Sequence, residues 1–290
     1  MNPPPIPTAE PLDAAFAERE YNNRARVPAH PQYFARWERD SDFVRRTLVG
    51  HVNLHYGPDP RHRVDLFPAR ESSHLLVFIH GGYWRSLDKS LFAWLASSWV
   101  AAGVGVALIN YRLCPQVSIE EIVHDAIAGT NWIVANAGRY GMGSEHILLS
   151  GHSAGGHLTA ALLAAPTGAL LFDTARIVGG VVISGICDFA PLRLYSFNSD
   201  FKLDEASIAR LNLYDKPQVI DAPLVIAAGG AESGEFQRQA RLLAHAWKAN
   251  VNALQVVPSL DHFNIVDTFA ERGQPLYEAS LALFPPRPPL

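Results

Sequence analysis

The chain has only two cysteines in 290 residues, Cys114 and Cys187, far apart in sequence, which excludes a disulfide framework. Scarce cysteine suits a reducing compartment, and a cytoplasmic location is expected. Lys/Arg runs are missing too. With 24 basic and 28 acidic residues the net charge is −4, so nucleic acid is not an expected partner. No apolar run reaches the roughly 20 residues of a membrane-spanning helix. The opening Met-Asn-Pro-Pro-Pro-Ile-Pro lacks the basic and apolar regions of a secretory signal. Neither membrane nor export is expected. There is no G-x-x-x-x-G-K, and Gly103-Val104-Gly105 is followed by Leu108 where a dinucleotide fingerprint needs glycine. His51 and His55 are four apart but lack the H-E-x-x-H context, so no metal and no cofactor is expected. No internal repeat is visible.

What is present is a chain of 48% hydrophobic and 18% charged residues, long enough for one large α/β domain. Residues 1 to about 12 are proline-rich and read as loose. Helical patterns follow over Asp13–Asn23 and Tyr33–Arg46, with a break between Arg26 and Pro31. Together, residues 1–46 read as an N-terminal arm or cap. Alternation over Val49–Tyr56 and Arg63–Phe67, around Gly57-Pro58-Asp59-Pro60, predicts an antiparallel edge hairpin. The continuous apolar run Leu75–Ile79 predicts a buried central strand and the short run Ile147–Leu149 a buried elbow strand, while Val104–Ile109, Ile177–Ser184, Pro223–Ala228 and Asn252–Val257 read as further strands. Helices are expected over Asp88–Ala102, Ile119–Ala137, the stretch from Leu158, Gly234–Ala249 and from about 264 onward. Strand and helix alternation implies a mostly parallel twisted sheet covered by helices on both faces. The main domain spans 47–290. A segment at about 188–218 interrupts its rhythm and reads as a small lid insertion, helical near Leu192–Tyr195 and Ala206–Leu213.

The organising stretch is Ile147-Leu-Leu-Ser-Gly151-His-Ser153-Ala-Gly155-Gly-His157-Leu158. Its centre is G-x-S-x-G between an apolar strand and an apolar helix, the nucleophile-elbow pattern in its required context. At an elbow the serine takes a strained backbone, and flanking glycines let strand and helix close around it. The Ala154 amide is then aimed at the same point as the Ser153 hydroxyl. A serine hydroxyl is a weak nucleophile at neutral pH and needs a base, itself oriented by a carboxylate. His262 follows the last strand and is the expected base. His245 lies mid-helix and reads as packed or surface. The acid follows the preceding strand: Glu232 is preferred, Asp188 is its competitor, Glu235 reads as a helix-dipole complement, and Asp261 is badly placed beside the base. After Leu75–Ile79 comes His80-Gly81-Gly82-Tyr83-Trp84. Gly81 and Gly82 are the expected second half of an oxyanion hole, and His80 reads as structural. Tyr83 and Trp84 either wall the substrate pocket or pack the loop.

The runs His80–Lys89, Asn110-Tyr-Arg-Leu-Cys-Pro115, Gly151–His157, Glu232–Gln239, Asp261-His-Phe263 and Tyr21-Asn-Asn-Arg-Ala-Arg-Val-Pro28 resemble the kynurenine formamidase (arylformamidase) branch of the α/β hydrolases, near the hormone-sensitive-lipase-like esterases. The likeness spans nearly the whole chain. It implies the α/β-hydrolase fold, Ser153 as nucleophile, Glu232 as acid where relatives often carry Asp, His262 as base, and the amides of Gly81, Gly82 and Ala154 as the hole. The implied substrate is a small molecule, an aryl formamide such as N-formylkynurenine. A carboxylesterase for short acyl or aryl esters would use the same residues. A non-catalytic binding protein is the rival from another class, set aside because no triad member is missing. Exposed edges and aromatics are compatible with a homodimer.

Overall fold

A computed structural model describes residues 6–8 and 10–286 of the chain; the remainder of the proline-rich start and the last four residues lie outside them. One eight-stranded sheet runs β1-β2-β4-β3-β5-β6-β7-β8. The strands are β1 His51–His55, β2 Arg63–Phe67, β3 His74–Ile79, β4 Gly105–Ile109, β5 His146–His152, β6 Ile177–Ile183, β7 Leu224–Gly229 and β8 Val251–Val257. β1 and β2 form an antiparallel hairpin, and β2 joins β4 antiparallel. From β4 to β8 every pairing is parallel.

Burial explains the pattern. β3, β4 and β7 are buried at every position, as apolar runs bounded by helices on both faces should be. β1 at the edge is largely exposed, and His51 and His55 stand in solvent on it. Two apolar clusters lie against the sheet; Ile79, Ile147 and Leu158 belong to one, Phe78, Phe92 and Leu148 to the other. Each fully buried Leu, Ile, Val or Phe contributes about 1.5–3 kcal/mol. The Ile119–Asn136 helix starts at a capping box, Ser118 and Glu121 each bonding the other's backbone amide. Among the described residues no helix is long and apolar enough to cross a membrane. Both cysteines are buried and unpaired.

Several elements differ from expectation. The stretch expected as one helix from Asp88 is a 3₁₀ segment over Lys89–Leu95, then a short α-helix over Ala96–Ala101. The second N-terminal helix starts earlier, at His30, because Pro31 falls in its first turn, where its missing N–H costs nothing. The closing helix is broken into Asn264–Val266, Asp267–Ala270 and Pro275–Leu281, with Gly273 left-handed (φ +86°) in the gap. The 188–218 segment holds Pro191–Leu194, Asn198–Phe201 and Glu205–Leu211, helical pieces of four, four and seven residues.

Register aligns the strand ends that matter. Ile79 pairs with Gly151, His152 with Ile183, and Gly229 with Val257. The loops after β3, β5, β7 and β8 therefore converge at the carboxyl ends of the parallel strands, the position at which open α/β sheets bind ligands.

Candidate active site

The elbow is built from contacts that leave no room for side chains. Ser153 sits at φ 57°, ψ −119°, a region costing about 1–3 kcal/mol for a non-glycine residue. Its amide donates to the Ile183 carbonyl at 2.8 Å, and its carbonyl accepts from His157 N at 3.1 Å. A Cβ at Gly155 would lie 1.9 Å from the Ile79 oxygen, and one at Gly151 2.2 Å from the Gly155 oxygen. Strand, turn and following helix can close only because these positions are glycine. The Ala154–Leu163 helix is buried along its whole length, so the serine stands on a rigid base.

His262 reaches the serine from the β8 loop. Its Nε2 lies 3.0 Å from Ser153 Oγ and its Nδ1 2.9 Å from Glu232 Oε2. A carboxylate only accepts, so Nδ1 carries the proton and bare Nε2 can take the one on Ser153. Glu232 is held in turn: its Oε1 accepts from the Gly229 amide at 2.6 Å and from the Ser184 hydroxyl. All three side chains are buried. Ser184, left-handed at φ 48°, was not among the sequence candidates. It ends the predicted β6 run, and only the packing of β6 beside β7 brings it to the carboxylate.

The other acids are engaged elsewhere. Asp188 Oδ2 pairs with Arg238 Nη2 at 2.8 Å, and Glu235 pairs with the same guanidinium at 2.8 Å. Glu235 also accepts from the Tyr21 hydroxyl at 2.8 Å, so it is an anchor for the N-terminal arm as well as a first-turn acid. Asp261 accepts from Tyr33 Oη at 3.0 Å and from the amides of Phe263 and Asn264. His245 is exposed.

The His80-Gly-Gly-Tyr-Trp loop faces the elbow. Gly81 packs on it: a Cβ there would be 2.9 Å from the His152 oxygen and 3.0 Å from Ser153 Cβ. Gly82 lines the cavity at φ +112°, where a Cβ would meet the Ser86 oxygen at 2.2 Å. Tyr83 and Trp84 continue in the left-handed region at φ 52° and 53°. Their rings meet edge to face, centroids 6.3 Å apart, yet only one of them reaches the cleft. Tyr83 lines the cavity and donates its hydroxyl to the Tyr21 carbonyl at 2.6 Å; burial pushes that hydroxyl well above its ordinary pKa, so it stays a donor. Trp84, for which the sequence leaves both a pocket wall and loop packing open, does not line the cavity and so is no substrate contact. Its indole is fully buried against His157, Phe189 and Phe201, where it packs the loop. His80 is buried, its ring nitrogens 2.7 Å from the Gly81 oxygen and 3.0 Å from Asn110 Oδ1; burial lowers its pKa to about 4, which keeps it neutral. No group of three or more His, Cys, Asp or Glu suited to a metal occurs among the described residues.

A cleft of about 190 Å³ opens over Ser153 and His262. Its walls come from the N-terminal helices (Asn23, Phe34, Trp37), the Gly82–Leu87 loop, and Tyr195 and Phe197 of the 188–218 segment.

Comparison with known proteins agrees with this architecture. The BD-FAE family profile matches residues 66–204. The kynurenine formamidase of Salmo salar is 27% identical, the match covering 76% of this chain and 77% of that protein. That of Drosophila melanogaster is 28% identical, covering 75% and 76%. A crystal structure from Silicibacter sp., provisionally designated a thioesterase, is 33% identical with a TM-score of 0.81, covering 91% of this chain and 98% of the other. The chain belongs to the α/β-hydrolase superfamily and is similar to its kynurenine formamidases.

Proposed function

We propose that the protein is a serine hydrolase that cleaves the carbon–nitrogen bond of an aryl formamide of the N-formylkynurenine type. The observation that carries this reading is the relay from Glu232 Oε2 through His262 to Ser153 Oγ, at 2.9 and 3.0 Å, beneath a cleft. The formamidases among the relatives support the substrate class.

His262 Nε2 takes the proton from Ser153 Oγ as the oxygen attacks the formyl carbon. The C=O pair moves onto oxygen, and the amides of Gly81, Gly82 and Ala154 receive the oxyanion; one such donor is worth about 3 kcal/mol. On collapse the C–N bond breaks, and His262 returns its proton to the arylamine nitrogen. Water then attacks the formyl-enzyme with His262 again as base, releasing formate and restoring the Ser153 hydroxyl. Glu232 holds the Nδ1–H tautomer and stabilises the imidazolium formed in each half. Residues 1–46 act here as a cap, and the aromatic 188–218 segment closes the opposite wall.

The same residues serve ester hydrolysis, and the thioesterase designation of the Silicibacter structure favours that second reading. Measuring kcat/KM for N-formylkynurenine and p-nitrophenyl acetate on one preparation separates them. Formamide turnover within an order of magnitude of the ester, or above it, is expected. An ester preference of several orders with no formamide turnover rejects the first reading.

A further inference from the structure

Asn23 holds a position that the hydrolytic chemistry does not use. It is 4% exposed and lines the cleft over Ser153. Neither its Oδ1 nor its Nδ2 has a hydrogen-bond partner among the described residues. Buried amides are nearly always satisfied, and one left unmade in both senses marks a place where something else completes it. Its neighbour Asn22 shows the contrast: that side chain accepts from the Ala25 amide at 3.0 Å and donates to Glu18 at 2.7 Å.

The charge beside Asn23 narrows what would complete it. Two cations line the cleft, Arg24 and Arg85, and no Asp or Glu does among the described residues. Arg85 is neutralised by Asp200 at 2.6 Å and lies 4.0 Å over the Phe197 ring. Arg24 is exposed and stands 5.6 Å over the Phe34 ring, with no carboxylate partner among the described residues. An amide that offers one donor and one acceptor side by side, next to an unpaired guanidinium, is complementary to a carboxylate with an ammonium on the adjacent carbon.

We infer that Asn23 and Arg24 read an α-amino-acid end of the substrate: Arg24 and Asn23 Nδ2 take its carboxylate, and Asn23 Oδ1 accepts from its ammonium. This rests on the formamidase reading and deepens it, because the formyl group would sit at Ser153 while the far end of the same molecule is held by the N-terminal arm. The two residues belong to Tyr21-Asn-Asn-Arg24, whose Tyr21 carbonyl is tied to Tyr83 of the loop facing Ser153. Specificity would thus be set by a segment outside the sheet.

The test compares two aryl formamides differing only at that end: N-formyl-L-kynurenine, and N-(2-acetylphenyl)formamide, which keeps the ring, ketone and formamide but lacks the amino acid. In wild type kcat/KM favours the first. In Asn23→Leu, and separately in the surface variant Arg24→Gln, the ratio of the two kcat/KM values falls by about tenfold to a hundredfold, chiefly through KM for the amino-acid substrate; hydrogen bonds to charged groups have this worth. Asn23→Leu also melts no lower than wild type, since it removes two unsatisfied polar atoms from a buried site. A ratio unchanged in both variants, as expected if Asn23 meets only water, overturns the inference. So does a ratio near one in wild type. If wild type cleaves neither formamide, the formamidase reading itself has failed, a result distinct from equal cleavage of both.

Discussion

The Nε2 of His152 lies 2.8 Å from the backbone carbonyl oxygen of His262. A carbonyl can only accept, so His152 carries its proton on Nε2 and donates it. Burial, and then the neighbouring His262, holds the His152 pKa well below its ordinary value, so the ring stays neutral. The residue between glycine and serine in the elbow thereby fastens the loop that carries the base.

His152 is therefore a positioning residue. His152→Ala should lower kcat by about tenfold to a hundredfold, the scale of a misplaced catalytic group, with a smaller change in KM. His152→Gln, which can still donate from its amide, should recover part of the loss. Equal loss in both variants, or an effect confined to KM, would count against the role.

Glu232 and Asp188 can be told apart by substitution. Glu232→Gln removes the negative charge beside His262 and, with its oxygen held by the Gly229 amide and the Ser184 hydroxyl, sets an NH2 donor against Nδ1; kcat should fall by about 10³–10⁴-fold while the protein stays folded. Asp188→Asn should leave kcat within a few-fold of wild type but lower stability by about 1.5–3 kcal/mol, because Arg238 keeps only Glu235 as a close charged partner. Urea titration and steady-state kinetics on the two variants decide it, and the reverse pattern would make Asp188 the acid.

Stability should fall in mild acid. Burial lowers the pKa of His80 to about 4 and that of His157 to about 3, against about 6.5 in the unfolded chain. The unfolded state then binds more protons, so stability is complete above about pH 6.5 and is lost as pH falls toward 4, at about 1.4 kcal/mol per pH unit for each such histidine. Unfolding free energies measured between pH 7.5 and 4.5 test the sign. His157→Met should give a shallower slope, and a curve flat over that window would contradict the burial of both rings.

Gly82→Ala should disturb both fold and chemistry. Its φ of +112° is strained for any side chain, and the new Cβ would meet the Ser86 oxygen at 2.2 Å. The loop must move, carrying an oxyanion donor with it, and kcat should drop by about 10²-fold or more. Unchanged kcat would place the oxyanion elsewhere.

The parts of this fold legible in sequence are those set by local chemistry. The strand runs marked β3, β4, β6, β7 and β8 to within a residue, β5 ran three residues past its apolar run to His152, and Ser118 with Glu121 marked a helix start. Ser153, Glu232 and His262 could be nominated because each follows a strand, and strand ends converge in a parallel sheet. What stayed hidden depends on packing between distant segments. Nothing in His80–Lys89 tells that a left-handed run turns Tyr83 toward the cleft and Trp84 away from it. Ser184 and His152 gain their roles only from neighbours far along the chain, and Asp188 is paired with Arg238, 50 residues on. The break at Gly273 follows from a glycine that an apolar pattern alone does not register as a stop.

The most direct test is stoichiometric labelling with a fluorophosphonate, read by intact mass and peptide mapping while formamide turnover is followed. The account predicts a single adduct on Ser153, activity lost in proportion to label, and neither label nor turnover in Ser153→Ala. Turnover that survives complete labelling, or an adduct carried by another residue, would contradict it.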